Sequence, residues 1–305
     1  MVDVDFQLEL IQWVRIGVLT LCFGGAAWLD HKTRRVSNEW WWTWAKPTLF
    51  LLCLELLLLE ANWMIWLTAS AVVAFASTAL IGRPDISDLM AGSRMDILVT
   101  VWYFASGVGL VMGAMEYTPV LLDYFDPNVY IDSSAPLTES ALLWGQMLVM
   151  GLVLLFFEMA WRFRMLHGGA DAKAMMLATL LLPSWNGASF PLISSSESFS
   201  TAMPPALSLL IWAGLAFLVL PFLMLVRNAS AGDLKPLSMS WHASRMALSE
   251  IPDNHVWLLE EVVDKPDGTR GVTRRMRPVR GSRSETEVES VLEELAAEGM
   301  EKAWV

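Results

Sequence analysis

Two aspartates stand where an apolar run meets a polar turn. Asp30 closes the apolar stretch 12–29 and precedes His31-Lys32-Thr33-Arg34-Arg35, while Asp171 follows Gly168-Gly169-Ala170 and opens a second apolar stretch. Ionisable groups are costly at a membrane, so each is a functional-site hypothesis by default. Taken alone, Asp30 reads as the polar edge of a stop-transfer segment and Asp171 as a helix cap favoured by the N-terminal dipole. The pair says more. Two carboxyls that converge in a low-dielectric pocket cannot both ionise cheaply, so one keeps its proton. Such a pair can activate water while protonating a leaving amine, which is the chemistry of an aspartic peptidase. Gly168 and Gly169 suit that use, because missing side chains let backbone or substrate approach the acid closely; without Asp171 they would read as a turn.

The elements that must bring these acids together are membrane helices. The chain has 305 residues, 55% hydrophobic and 17% charged, with a mean hydropathy of +0.45. A soluble domain carries roughly a quarter charged residues. Disorder, collagen and a disulfide scaffold are excluded by the apolar content, the lack of a glycine period and the presence of only Cys22 and Cys53. The expected class is an all-α integral membrane protein.

A helix needs roughly 20 apolar residues to cross a hydrocarbon core of about 30 Å. Seven stretches qualify as expected spans: 12–29, 41–60, 63–82, 97–116, 140–161, 171–193 and 205–226. The second borrows Trp40, Trp41, Trp42 and Trp44 and carries Glu55, so it is expected to begin at the interface. The sixth meets Pro183, which predicts a kink or an early end. Lys32, Arg34, Arg35, Lys46, Arg83, Arg94, Arg162, Arg164, Lys173 and Arg227 fall on one side of this arrangement and only Arg15 on the other. The positive-inside rule then puts the N-terminus outside and the C-terminus in the cytoplasm. The first span lacks a basic n-region and is expected to be retained. Four crossings separate Asp30 from Asp171, an even number, so both belong at the cytoplasmic surface of the cell membrane.

At these residues a family likeness emerges. Asp30-His31-Lys32-Thr33-Arg34-Arg35-Val36-Ser37-Asn38 resembles the first-aspartate motif of the type IV prepilin peptidase family. Gly168-Gly169-Ala170-Asp171-Ala172-Lys173 resembles its second, and both are closest to the archaeal preflagellin and prepilin branch. The motifs cover few residues but frame a membrane core from Val14 to about Pro183. The resemblance implies that Asp30 and Asp171 are catalytic. It also implies cleavage of a short basic leader from a pilin-like or archaellin-like precursor, just ahead of its hydrophobic helix.

Arg34 and Asn38 match motif positions that shape the site; snorkelling and loop capping are the plainer roles. Lys173 either biases the acid or is an ordinary inside-positive residue. The bacterial branch carries a cysteine tetrad and methylates the new N-terminus, whereas this chain has no CxxC pair. No zinc site, methyltransferase activity or cofactor is therefore expected. Ala170 replaces a motif glycine, and one hairpin more than the family pattern separates the two motifs.

Asp96, after Gly92-Ser93-Arg94-Met95, is the alternative second acid, and Asp85 and Asp88 share its polar loop. Glu55 and Glu158 would suit a proton-coupled transporter, the main rival reading, and a non-catalytic seven-span receptor or scaffold is the third. Residues 1–227 form the expected membrane domain and 228–305 a linker with a small cytoplasmic α+β appendage. In that appendage, strands are expected over 255–263 and 271–279, and Val288, Val291, Leu292 and Leu295 mark an amphipathic helix. Arg274, Arg275, Arg277, Arg280 and Arg283 read as a solvated face more readily than as an anion site. The net charge of −11 argues against a nucleic-acid partner. The expected partners are the precursor protein and the lipid bilayer.

Overall fold

The computed structural model of the protein describes residues 4–81, 94–132, 135–166, 168–183, 203–254, 256–264, 270–276 and 285–305. The chain is mostly helical and divides into two compact units, Met1–Leu210 and Ile211–Val305. The first holds α1 (Val4–Thr33), α2 (Asn38–Leu58), α3 (Trp63–Ile81), α4 (Arg94–Phe125), α5 (Pro136–Arg162) and α6 (Gly169–Leu181). The unit boundary falls within α7 (Pro205–Ser230).

Among the described residues, five helices, α1, α3, α4, α5 and α7, are long and apolar enough to cross a membrane. The other two expected spans differ for separate reasons. The 21 residues of α2 are long enough, but Lys46, Glu55 and its tryptophans dilute its apolar character. The 13 residues of α6 reach only about 20 Å at 1.5 Å per residue, less than the hydrocarbon core. Pro183 disfavours helical geometry in the residue before it, and α6 stops at Leu181 accordingly. The remainder of that expected span, 184–193, lies outside the described residues.

Helix α5 is central, burying Trp144, Met147, Met150, Leu154 and Phe157 and packing against α3, α4 and α6. Its neighbour α4 turns a stripe of small residues inward, Ser106, Gly109 and Gly113. A Cβ at Gly109 would collide with Leu67 of α3, and one at Gly113 with the Trp144 indole. Small residues that let backbones approach are the usual means of packing helices where no water drives association. The indole N–H groups of Trp102 and Trp144 donate to Ser70 Oγ at 2.7 Å and Thr68 Oγ1 at 3.1 Å, so these polar atoms do not face lipid unpaired.

A buried ion pair ties α1 to α2. Arg15 is fully buried and its Nη2 donates to Glu55 Oε2 at 2.7 Å and to the Leu51 carbonyl at 3.3 Å. The single basic residue expected on the far side is thus the partner of the deepest acid. Glu158, the milder case, accepts from Arg162 Nε at 2.8 Å one turn away.

The second unit adds α8 (Leu237–Ser240), β1 (Arg245–Ala247), β2 (Glu260–Asp264), β3 (Arg270–Arg274), α9 (Glu285–Ala297) and β4 (Lys302–Trp304). Strands β2 and β3 pair antiparallel with Glu260 opposite Arg274, and β1 pairs antiparallel with β4. The expected hairpin is present but shorter, since 256–259 and 275–276 are not strand, and the amphipathic helix is present with Leu292 and Leu295 of α9 buried against Ile251 and Ala303. β1 and β4, three residues each, are too short to leave a period in the sequence. Arg274 pairs with Glu260 at 2.7 Å and Arg275 with Glu261, while Arg277, Arg280 and Arg283 lie outside the described residues.

Removing one member of a buried pair leaves a charge uncompensated, at about 3–5 kcal/mol. Glu55→Leu alone is expected to lower stability by that order in detergent unfolding, and Arg15→Leu/Glu55→Leu to recover most of it. A loss in the double variant equal to the sum of the losses in Glu55→Leu and Arg15→Leu would show that the pair is not a coupled unit.

Candidate active site

Four helix ends meet where the two motifs lie. Asp30 sits in the last turn of α1, exposed, and the chain then reverses. Arg34 adopts a left-handed φ of 53°, and its amide donates to the Asp30 carbonyl at 2.8 Å. An L residue takes that conformation at roughly 1–2 kcal/mol, here to turn the chain into α2, which begins at Asn38. A matching reversal ends α5, where Arg164 has φ 59°.

Asp171 is the third residue of α6, a helix that packs against α1, α2, α3 and α5. Gly168 is the N-cap, and the Asp171 carboxyl leans back over it: a Cβ at Gly168 would lie 2.5 Å from Oδ2. Any side chain there would push the carboxyl aside, which gives a physical reason for glycine at the start of the second motif. Gly169 rests on the Trp161 indole of α5, where a Cβ would lie 3.4 Å from Cζ2.

The two motifs also touch directly. Lys173 Nζ donates to Asn38 Oδ1 at 2.6 Å, joining the first turns of α6 and α2. Burial pulls the Lys173 ammonium below the usual lysine range. The Asp171 carboxyl, at the mouth of α6 and outside the five candidate spans, is pushed above the ordinary aspartate range. Desolvation by surrounding protein is the larger cause and the negative charge of Asp30 the second. The Asp171 side chain, like that of Asp30, is exposed.

Asp96, the alternative acid, sits half-buried in the first turn of α4. That helix packs mainly against α3 and α5. Asp85, Asp88 and His167 lie outside the described residues.

Beside Lys173 runs an apolar groove, open to the surface, between α2, α3 and α6. Trp41, Trp42, Val73, Leu80, Met176 and Leu177 line it. The tryptophan cluster expected at the headgroups therefore divides its work: Trp42 is exposed, Trp40 and Trp44 are half-buried, and Trp41 is buried.

The contribution of Trp161, the Lys173–Asn38 contact and the left-handed turn at Arg34 are additions to what the sequence offered. None has a local signal: each depends on which helix ends become neighbours. No family model matches the chain, and no curated protein or solved structure is significantly similar to it.

Because Asp30 raises the proton affinity of Asp171, Asp30→Asn is expected to move the ionisation midpoint of Asp171 to lower pH, followed by its carboxyl infrared band. An acid with a raised folded pKa loses stability as pH climbs through that pKa, and the variant reduces this loss. An unchanged midpoint would mean that the two carboxyls do not interact.

Proposed function

We propose that this protein is a membrane-embedded aspartic endopeptidase of the type IV prepilin peptidase kind, closest to the archaeal branch. In this reading it removes the short basic leader of pilin-like or archaellin-like precursors at the cytoplasmic face. The observation that carries the proposal is the meeting of the two motifs at neighbouring helix ends, where α6 packs against α1 and α2 and Lys173 Nζ donates to Asn38 Oδ1 at 2.6 Å. The proposed topology has seven crossings, with α2 as the second and α6 extended by later residues as the sixth, and a cytoplasmic C-terminus.

The mechanism turns on which acid holds the proton. Asp171, with the raised proton affinity, is the acid, and Asp30 the base. Asp30 takes a proton from water as its oxygen attacks the scissile carbonyl carbon, and Asp171 protonates the carbonyl oxygen. Collapse of the gem-diol breaks the C–N bond: the leaving amine takes the proton held by Asp30, and a hydroxyl proton of the diol returns to Asp171, which restores the starting protonation state. Arg34, Asn38 and Lys173 frame the entrance, Gly168 leaves room for the acid, and Gly169 seats α6 on Trp161. The apolar groove beside Lys173 suits the hydrophobic segment that succeeds the cleaved bond.

The transporter reading rests chiefly on Glu55. That acid is engaged by Arg15, which favours a structural part for it.

In membranes supplied with a pilin-like precursor, the wild-type chain is expected to release the leader, read by mass spectrometry of the new N-terminus. Asp30→Asn and Asp171→Asn should each lower the rate by about 10²–10⁴-fold, the scale of a lost general acid or base, with expression unchanged. Asp96→Asn should remain near wild type. Retained cleavage in both dyad variants contradicts the assignment, as does loss in Asp96→Asn alone.

A further inference from the structure

The C-terminal end of α7 carries a feature that leader cleavage does not use. Through Val226 the helix is bare and apolar, with Trp212, Phe217, Leu218, Phe222 and Leu223 all exposed. Arg227 and Asn228 come next, at the edge of the apolar run. Asn228 is buried, and its Nδ2 donates both hydrogens, to the Ser240 carbonyl at 2.6 Å and the Ala243 carbonyl at 2.7 Å. Its own carbonyl accepts from the Asp233 amide at 2.8 Å. The chain after α7 is thereby folded back on the helix end instead of leading away from it.

This lock fixes the height of the segment 234–241. A bilayer of about 40–45 Å with a core of about 30 Å leaves a headgroup zone of roughly 5–8 Å on each side. A segment hydrogen-bonded through Ser240 to Asn228, in the last turn of α7, stays close to that zone. Within eight residues it exposes three large apolar side chains, Leu234 at 39%, Leu237 at 68% and Trp241 at 49%. Lone exposed apolar residues are ordinary, but these accompany exposed Arg227 and Lys235. The acid among them, Asp233, faces Arg245 at 3.5 Å, so the cations remain uncompensated by it. Tryptophan and leucine beside lysine and arginine is the composition of an interfacial anchor, the apolar groups entering the acyl boundary and the cations meeting lipid phosphate.

We infer that residues 234–241 form a membrane-surface foot, which seats the C-terminal unit on the headgroup layer of the leaflet from which α7 emerges. Asn228 is its positioning residue. The occupant of this apolar surface is lipid, by continuity with the lipid-facing sides of α7 and by the match between the flanking cations and phosphate. The inference is independent of any peptidase activity.

The test uses the full chain with Cys22 and Cys53 replaced by serine, carrying a single cysteine at Leu237→Cys, Trp241→Cys or, as an aqueous control, Asp253→Cys. Each variant is labelled with a polarity-sensitive fluorophore and reconstituted in phosphatidylcholine–phosphatidylglycerol vesicles. At positions 237 and 241 the emission should be blue-shifted, quenched by lipids bearing a shallow nitroxide and several-fold less accessible to aqueous iodide than at 253. Adding Asn228→Ala should raise iodide access at 241. Iodide access at 237 and 241 equal to that at 253 overturns the inference. Protection from iodide without quenching by nitroxide lipid also overturns it, since protein would then be the cover.

Discussion

A carboxyl at the start of a 13-residue helix reaches the end of a 30-residue one only if the short helix is clamped from several sides at once. Here the clamp is apolar burial. Ala172, Met176, Leu177, Ala178, Leu180 and Leu181 of α6 are all buried, against α1, α2, α3 and α5. Each fully buried Leu or Met contributes about 1.5–3 kcal/mol in water-based bookkeeping, and within lipid the same contacts act through close packing and shape. The depth of α6 sets the depth of Asp171, and the reversal at Arg34 sets where α2 begins relative to Asp30. The Lys173–Asn38 hydrogen bond closes the arrangement, joining the two polar turns across an otherwise apolar interface.

The acids of the helical unit divide by what faces them. Glu55 is neutralised by Arg15 and Glu158 by Arg162, each within 2.7 Å, so these acids serve packing. Asp171 instead faces a like charge in partly desolvated surroundings, a condition that raises proton affinity and stabilises nothing. Folding tolerates such a pair only where other contacts over-determine the geometry, and α6 provides them. Perturbed acids of this kind gather at functional sites, which is why the proposed function is placed on Asp30 and Asp171 and not on the more deeply placed Glu55.

The apolar runs made α1, α3, α4, α5 and α7 legible in the sequence, because length and hydropathy suffice for a helix that faces lipid. They said less about α6, whose 13 residues are covered by α1, α2, α3 and α5: its depth is set by those neighbours and not by hydropathy alone. Asp30 and Asp171 stood out through the cost of a charge beside an apolar run and through their motifs. The reason for Gly168 did not, since the backward lean of the Asp171 carboxyl comes from the side-chain rotamer and not from residue type. Arg15 was legible only as an exception to the charge asymmetry, and the exception pointed to its partner. In the C-terminal unit the hairpin and α9 announced themselves by period, whereas β1 and β4 exist only through a pairing across more than fifty residues, Arg245 with Trp304.

The meeting of the first and second motifs is measured most directly by cross-linking. In a chain whose native cysteines are replaced by serine, cysteines at 30 and 171 are treated in native membranes with a short bifunctional thiol reagent, and the linked peptides are identified by mass spectrometry. The account requires efficient 30–171 linkage and little between 30 and 96. Efficient 30–96 linkage with none between 30 and 171 would contradict it.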